Sequence, residues 1–147
     1  MIAFDISETV IRLLIAAVLG GLVGLEREHR GTAAGLRTLM LVSVGASLIT
    51  LTALQTAENP ALMTGGIITG IGFLGAGAIL RDKEGVHGTT TAASIWVTAM
   101  IGMAVGYGYY LDAAITTIIV LAVLIVLYQY EKRYIRNHGI KHSRPRP

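Results

Sequence analysis

The chain has 147 residues, of which 53% are hydrophobic and only 14% are charged, and its mean hydropathy is +0.64. Since a soluble domain usually carries about 25% charged residues, this composition excludes an ordinary water-soluble fold. The chain has no cysteine, which excludes a disulfide framework, a thiolate metal site and a cysteine nucleophile. The net charge is +3, but half of the basic residues lie after Tyr130, so the charge concerns membrane orientation and not a nucleic-acid partner.

Five apolar segments follow one another along the chain, separated by short polar connectors. Each is close to the roughly 17–25 residues that a helix needs to cross the hydrocarbon layer of a bilayer. The sequence therefore predicts an all-α, polytopic bundle of five transmembrane helices over residues 1–130, followed by a basic cytoplasmic tail over residues 131–147. The predicted spans are residues 10–25, 38–54, 62–80, 89–106 and 111–127.

The connectors predict the orientation of this bundle. Arginine and lysine occur in the first and third connectors and in the tail, whereas the second and fourth connectors contain neither. Because basic loops stay in the cytoplasm, we expect the N-terminus outside and the C-terminus inside. Asp5 and Glu8 precede the first span, where a cleaved signal peptide would have basic residues, so we expect this segment to remain as a helix. Tyrosines typical of membrane interfaces flank the last span, namely Tyr107, Tyr109, Tyr110, Tyr128, Tyr130 and Tyr134.

Glycine is frequent, with 18 residues in the chain. The segment Gly21-Leu-Val-Gly24 precedes the first connector and Gly72-Phe-Leu-Gly75 precedes the third, so we predict that the first two spans are repeated, in the same orientation, as the third and fourth. Small residues four apart let helix backbones approach closely in a bilayer, and we favour this packing role over a ligand-lining role. The glycines assigned to helix packing are Gly20, Gly24, Gly66, Gly70, Gly72, Gly75, Gly77, Gly102 and Gly106.

Hydroxyl side chains recur on one face of two spans. We favour interhelical hydrogen bonds for them, worth on average about 0.6 kcal/mol each in membranes, over a polar path for an ion. Trp96 lies well inside the fourth span, where its indole N–H would need a partner on another helix. The hydroxyl stripes are Ser43, Ser47 and Thr50 on the second span, and Thr90, Ser94 and Thr98 on the fourth.

The charged first connector allows three interpretations. Glu26 and Arg30 are four residues apart, so a continuing helix would pair them on its surface. Equally, Glu26 and Glu28 could present carboxylate oxygens to a hard cation such as magnesium, although the nearby arginines count against a dedicated cation site. A salt bridge between Glu26 and Arg37 would neutralise both side chains at the membrane surface.

Three further polar features carry local expectations. Arg12 lies just inside the first span, and we expect its side chain to reach the outer surface, with Asp112 as a possible partner. The mixed charges of the third connector predict a solvated turn, and Thr89 is a candidate cap for the fourth helix. No nucleophile elbow, P-loop, HExxH motif or carboxylate dyad occurs in the sequence, so we expect a protein that is not an enzyme. No cofactor is evident, and a magnesium ion is the candidate ligand.

Four short motifs stand in order along the chain. They are Gly24-Leu-Glu-Arg-Glu28, Gly35-Leu-Arg-Thr38, Gly70-Ile-Gly-Phe-Leu-Gly-Ala-Gly77 and Thr90-Thr-Ala-Ala-Ser-Ile-Trp96. In order and spacing they resemble the membrane domain of the MgtC/SapB family over roughly residues 10–127. The resemblance implies a bacterial inner-membrane protein from a family linked to adaptation to low magnesium, to virulence in some members and to control of other membrane machinery. It also implies a candidate polar functional cluster of Glu26, Arg27, Glu28, Arg37, Thr38, Thr90, Thr91, Ser94 and Trp96.

The resemblance leaves two functions in competition. Members of the MgtC branch carry a soluble domain after the last helix, so the short basic tail favours a SapB-like form and counts against a virulence or sensory role. The first function is a regulator of ion homeostasis that binds another membrane protein through glycine-rich helix faces, with a homodimer as a further expectation. The second is a transporter or channel for a divalent cation or proton, with the hydroxyl stripes as its path and Glu26 at its inner mouth. We favour the regulator because no acidic residue lies near the middle of any span.

Overall fold

The structure, a computed structural model, describes residues 5–82, 85–130 and 132–133. Its helices are α1 Ile6–His29, α2 Leu36–Thr56, α3 Pro60–Gly77, α4 Thr89–Tyr107 and α5 Tyr110–Ala122, which continues through a π-helical turn, Val123–Leu127. All five are long and apolar enough to cross a membrane, with the fifth span reaching Tyr130. The predicted all-α bundle of five transmembrane helices is confirmed. Of the predicted tail, all but residues 132–133 lies outside the described residues, as does Tyr134.

Local chemistry accounts for several helix ends. The carboxylate of Asp5 accepts a hydrogen bond from the Ile6 N–H at 2.8 Å, and Asn59 accepts one from the Leu62 N–H at 3.3 Å, so both residues act as N-caps. At the N-terminus of α4 the cap position belongs to Gly88, whose φ of 86° suits glycine. Thr89 is already helical there, so its assignment as a cap is wrong.

The connector between α3 and α4 differs from its predicted form. The sequence predicts a third span that reaches residue 80, but α3 ends at Gly77. A short antiparallel hairpin follows, formed by β1 Leu80–Asp82 and β2 Gly85–His87, in which Arg81 pairs with Val86. The hairpin bonds its backbone groups to each other on either side of the turn, and Arg81 and Val86 are exposed, so a solvated turn at its tip stays a prediction. The turn residues Lys83 and Glu84 lie outside the described residues.

Two helices form the centre of the bundle. The membrane-spanning windows of α4 and α2 are 56% and 39% buried, whereas those of α3 and α5 are each 17% buried. The side chains of Leu39 and Leu51 on α2 and of Ile101 and Val105 on α4 are fully enclosed. The bundle therefore consists of α1, α2 and α4 in close contact, with α3 and α5 on its periphery.

Glycines set the closest approaches among the three inner helices. A Cβ atom built on Gly20 of α1 would lie 2.6 Å from the Cβ of Ser43. On α4, a Cβ at Gly102 would collide with the backbone carbonyl of Ser43, and one at Gly106 would lie 2.6 Å from the Cβ of Thr50. These distances leave no room for a side chain, so α1 and α4 can approach α2 this closely only where they carry glycine.

The glycines of α3 behave differently. A Cβ at Gly75 would make an ordinary contact with Ala92 of α4, 3.6 Å from its carbonyl oxygen. Four other predicted packing positions have no atom of the described residues within 4 Å of the built Cβ: Gly66, Gly70, Gly72 and Gly77. The two halves of the predicted repeat differ at this position, since a Cβ at Gly21 would lie 3.2 Å from Met40 of α2 whereas one at the equivalent Gly72 would meet no described atom within 4 Å. The repeat itself stays a prediction.

Candidate functional site

One end of the bundle gathers the connector between α1 and α2, the hairpin, and the C-terminal end of the fifth span. We name it the basic end, because Arg30 and Arg81 lie in these segments and Arg27 and Arg37 lie at the adjoining ends of α1 and α2. The guanidinium carbon of Arg30 lies 3.7 Å from the ring centroid of Tyr128, which joins the end of α1 to the end of the fifth span. At this distance the cation and the aromatic face attract each other directly.

Glu26 is the centre of a small ion-pair network at this end. Its carboxylate accepts a hydrogen bond from Nε of Arg27 at 2.6 Å and another from Nε of Arg30 at 2.9 Å. The Glu26 side chain is only 8% exposed. The predicted pair of Glu26 and Arg30 is therefore present, and the hydrogen bond from Arg30 to Glu26 raises the pKa of Arg30, which keeps the guanidinium charged.

Glu28 caps the next helix. Its Oε2 accepts a hydrogen bond from the Leu36 N–H, the first backbone amide of α2, at 2.8 Å. Gly35 gives this carboxylate room, because a Cβ at that position would collide with Oε2 of Glu28. Glu28 therefore caps the N-terminus of α2, whose own N-cap residue, Gly35, provides no side-chain hydrogen bond.

The expected salt bridge between Glu26 and Arg37 is wrong. Both oxygens of Glu26 already accept hydrogen bonds from Arg27 and Arg30, and Arg37 is exposed and forms no ion pair within the described residues. Glu26 and Glu28 also bind different groups and do not converge. Among residues 5–82, 85–130 and 132–133, no three His, Cys, Asp or Glu side chains stand close enough to hold a metal ion.

The structure distributes the predicted polar cluster over four neighbouring pockets, two of which share Thr90 and two of which share Thr38. Arg27 and Thr90 line a cavity beneath Tyr128, and Glu26 holds Arg27 in place there. The remaining members line other surfaces: Glu28, Arg37 and Thr38 a hollow in the first connector, Thr91 a pocket between α2, α3 and α4, and Ser94 and Trp96 a groove between α4 and α5.

Trp96 faces outward, with 44% of its surface exposed. Its indole N–H donates no hydrogen bond to any described residue, so the expectation of a partner on another helix is wrong. Ser94, two residues earlier, is buried and donates to the carbonyl oxygen of Thr90 at 2.8 Å, within its own helix. In a bilayer, Trp96 would therefore contact lipid or another protein.

The hydroxyl stripes lie largely inside the bundle, although Thr90 is exposed. Ser43, Ser47 and Thr98 are fully buried, and none of their hydroxyls has a hydrogen-bond partner in the described part of the chain. Thr50, equally buried, donates to the carbonyl oxygen of Ala46 at 2.8 Å in its own helix. The expected interhelical hydrogen bonds are thus absent among these residues, and the small size of the side chains explains their position better than their polarity.

The structure places the side chain of Arg12 differently from the sequence prediction. Its side chain is buried and does not reach the outer surface, so that expectation is wrong. Nη1 donates to the carbonyl oxygen of Gly106 at 2.7 Å, and Nη2 bonds the carboxylate of Glu8. Asp112 is exposed and forms no ion pair within the described residues. Arg12 therefore neutralises the negative C-terminal end of α4 at the end of the bundle opposite the basic end.

Comparison with known proteins identifies the relatives of this fold. Residues 13–133 match the MgtC family. Protein MgtC of Salmonella typhimurium (strain LT2) is 42% identical over 125 residues, covering 84% of this chain and 54% of its own length. The "Putative magnesium transporter YhiD" of Escherichia coli (strain K12) is 38% identical over 133 residues, covering 84% of this chain and 62% of its own length.

A third relative, an uncharacterized protein of Haemophilus influenzae, is 39% identical over 122 residues and is covered over 51% of its length. The chain thus spans about half the length of the curated relatives that it matches. No solved structure matches it. The family match over most of the chain agrees with the order of the motifs from Gly24 to Trp96 and with the five apolar helices. The chain is a multi-pass membrane protein that belongs to the MgtC family.

Proposed function

We propose that this protein is a regulator or accessory subunit in magnesium homeostasis that acts by packing against another membrane protein. The observation that carries the proposal is the open glycine face of α3, which consists of Gly66, Gly70 and Gly77. These residues lie within about 40° of one another around the helix. A Cβ at any of them would meet no atom within 4 Å.

Glycine inside a helix costs stability, by about 1 kcal/mol relative to alanine. Gly102 and Gly106 offset this cost through the close approach of α2, whereas a Cβ on the open glycine face would have no neighbour within 4 Å among the described residues. Gly66 and Gly70 also line an apolar groove of about 640 Å³ between α2 and α3, together with Gly45. In a bilayer, such a face suits the close approach of a helix from another molecule.

Transport of a divalent cation is the second candidate, because the name of YhiD concerns magnesium transport. A passing magnesium ion needs several oxygen ligands or a water-filled pore. The hydroxyls of Ser43, Ser47 and Thr98 are enclosed between α2 and α4, and Glu26 is occupied by two arginines. Conduction along this path would require α2 and α4 to separate, so the geometry favours the regulator.

We further propose a bacterial inner membrane as the location, with the basic end of the bundle in the cytoplasm. The absence of native cysteine makes the test direct. A membrane-impermeant maleimide should label a Glu58→Cys variant in intact cells, and it should label an Ala33→Cys variant only after the membrane is opened. The reverse pattern would invert the orientation.

Association through the open glycine face is tested with tagged protein extracted from native membranes in a mild detergent. Wild type should migrate on a native gel as a complex larger than the monomer, and Gly70→Leu should shift it to the monomer. Ala76→Leu is the matched control, because it adds the same side chain to an exposed position about 120° away around α3. Wild type that is repeatedly recovered alone, or a complex that Gly70→Leu leaves intact, would contradict the proposal. Mass spectrometry of the complex then distinguishes a second copy of the chain from a different protein.

A further inference from the structure

We propose that a cavity at the basic end binds the phosphate group of an anionic lipid. The cavity has a volume of about 430 Å³ and lies between the end of α1, the first turn of α4 and the π-helical turn of the fifth span. Its polar wall includes Arg27, Arg30 and Thr90, and its apolar wall includes Leu124. Tyr128 closes one side by stacking on Arg30.

The two arginines leave positive charge in this cavity. Each uses its Nε atom to bond Glu26, so two guanidinium groups share a single carboxylate. The Arg27 side chain is only 6% exposed, and its terminal nitrogens donate no hydrogen bond to any described residue. The Nη atoms of Arg27 keep some exposed surface, and Arg27 lines the cavity, so these atoms are accessible to a ligand there. Free guanidinium N–H groups in a fixed plane match the oxygens of a phosphate group.

The start of α4 adds to the same attraction. Its N-cap residue is Gly88, which provides no side-chain hydrogen bond, so the first backbone N–H groups of the helix have no capping side chain. The partial positive charge of a helix N-terminus favours an anion, and the hydroxyl of Thr90 stands beside it on the cavity wall. The arginine pair and the helix terminus thus both favour a negative ligand.

The apolar wall favours a lipid over free phosphate. Val123 and Leu127 of the π-helical turn line the cavity and are also 48% and 59% exposed on the outer surface of the bundle. A headgroup bound at Arg27 and Arg30 could therefore extend its acyl chains along α5 into the bilayer. Basic pockets between helices at the membrane surface bind anionic headgroups in this way. A π-helical turn at such a place is also typical of functional sites.

The test uses native mass spectrometry of the purified full chain in detergent, with phosphatidylglycerol and phosphatidylcholine of identical acyl chains as probes. Phosphatidylglycerol should be retained at lower concentrations than phosphatidylcholine. Arg30→Gln should weaken phosphatidylglycerol binding by about tenfold, the loss expected for one charge-assisted hydrogen bond. Arg37→Gln removes the same charge from an exposed position at the same end, outside the cavity, and should change binding by less than about twofold.

A variant of opposite sign keeps the proposal falsifiable if Arg30→Gln disturbs the fold. Glu26→Gln removes the negative charge that competes for both arginines, so it should tighten the binding of phosphatidylglycerol. Weaker binding in Glu26→Gln, or equal losses in Arg30→Gln and Arg37→Gln, would overturn the proposal in favour of general surface attraction. Displacement of the lipid by low concentrations of inorganic phosphate would overturn the lipid assignment and make the cavity a site for a soluble anion.

Discussion

Gly102→Ala tests the packing of α4 against α2. The added Cβ would collide with the carbonyl oxygen of Ser43 and lie 2.7 Å from its carbonyl carbon and 2.8 Å from its Cα. Because carbon atoms in contact are separated by about 3.5–4.0 Å, the two helices must move apart by roughly 1 Å. Overpacking of this kind costs about 1–3 kcal/mol, whereas the better helix propensity of alanine recovers up to about 1 kcal/mol. We therefore expect a net loss of stability of up to about 2 kcal/mol after the full gain in helix propensity is subtracted.

Gly70→Ala is the matched control, because it has the same gain in helix propensity and no clash. A Cβ at Gly70 meets no atom within 4 Å, so this variant should equal or exceed the stability of wild type. Unfolding is measured by titrating sodium dodecyl sulfate into monomeric protein in a mild detergent and following helix content by circular dichroism. Gly102→Ala should unfold at a lower fraction of sodium dodecyl sulfate than Gly70→Ala. Equal midpoints for the two variants would refute the packing argument.

Two further predictions concern polar groups at helix ends. Arg12→Met should lower stability in the same titration by about 1.5–3 kcal/mol, because it removes a charged hydrogen bond to the Gly106 carbonyl. The control, Asp112→Asn, should change stability by less than about 0.5 kcal/mol. Equal effects would contradict the placement of Arg12. Glu28→Ala should destabilise α2 by about 0.5–2 kcal/mol and speed hydrogen exchange of the Leu36 amide, whose cap it removes. An unchanged exchange rate at Leu36 would show that Glu28 is not the cap.

The number and type of helices could be predicted because a bilayer allows few alternatives. Backbone groups in hydrocarbon must be bonded within the segment, so an apolar run of sufficient length is a helix. Position around the helix is harder to predict. Gly66 and Gly70 have the same spacing as Gly102 and Gly106, yet the first pair faces open space and the second contacts α2. Spacing identifies a face that permits close approach, but it does not identify the neighbour.

The candidate site was predictable only where its contacts are local. Glu26 and Arg30 are four residues apart on one helix, so their pairing follows from helix geometry. Arg12 bonds a backbone carbonyl 94 residues away, and a carbonyl group has no signature in the sequence. The position of Arg37 at the membrane surface predicts a pair with Glu26, but Arg27 and Arg30 bond Glu26 instead. The resemblance groups the motif residues together, and it likewise does not reveal that they are spread over four pockets.

Magnesium flux into proteoliposomes tests the proposed function most directly. Purified wild type and Glu26→Gln are reconstituted at equal density, and uptake is followed with a magnesium-sensitive dye in the lumen. A regulator predicts no flux above that of empty vesicles for either protein, although both are folded and inserted. Flux through wild type that Glu26→Gln abolishes would contradict this account and make the protein a transporter with Glu26 on its path.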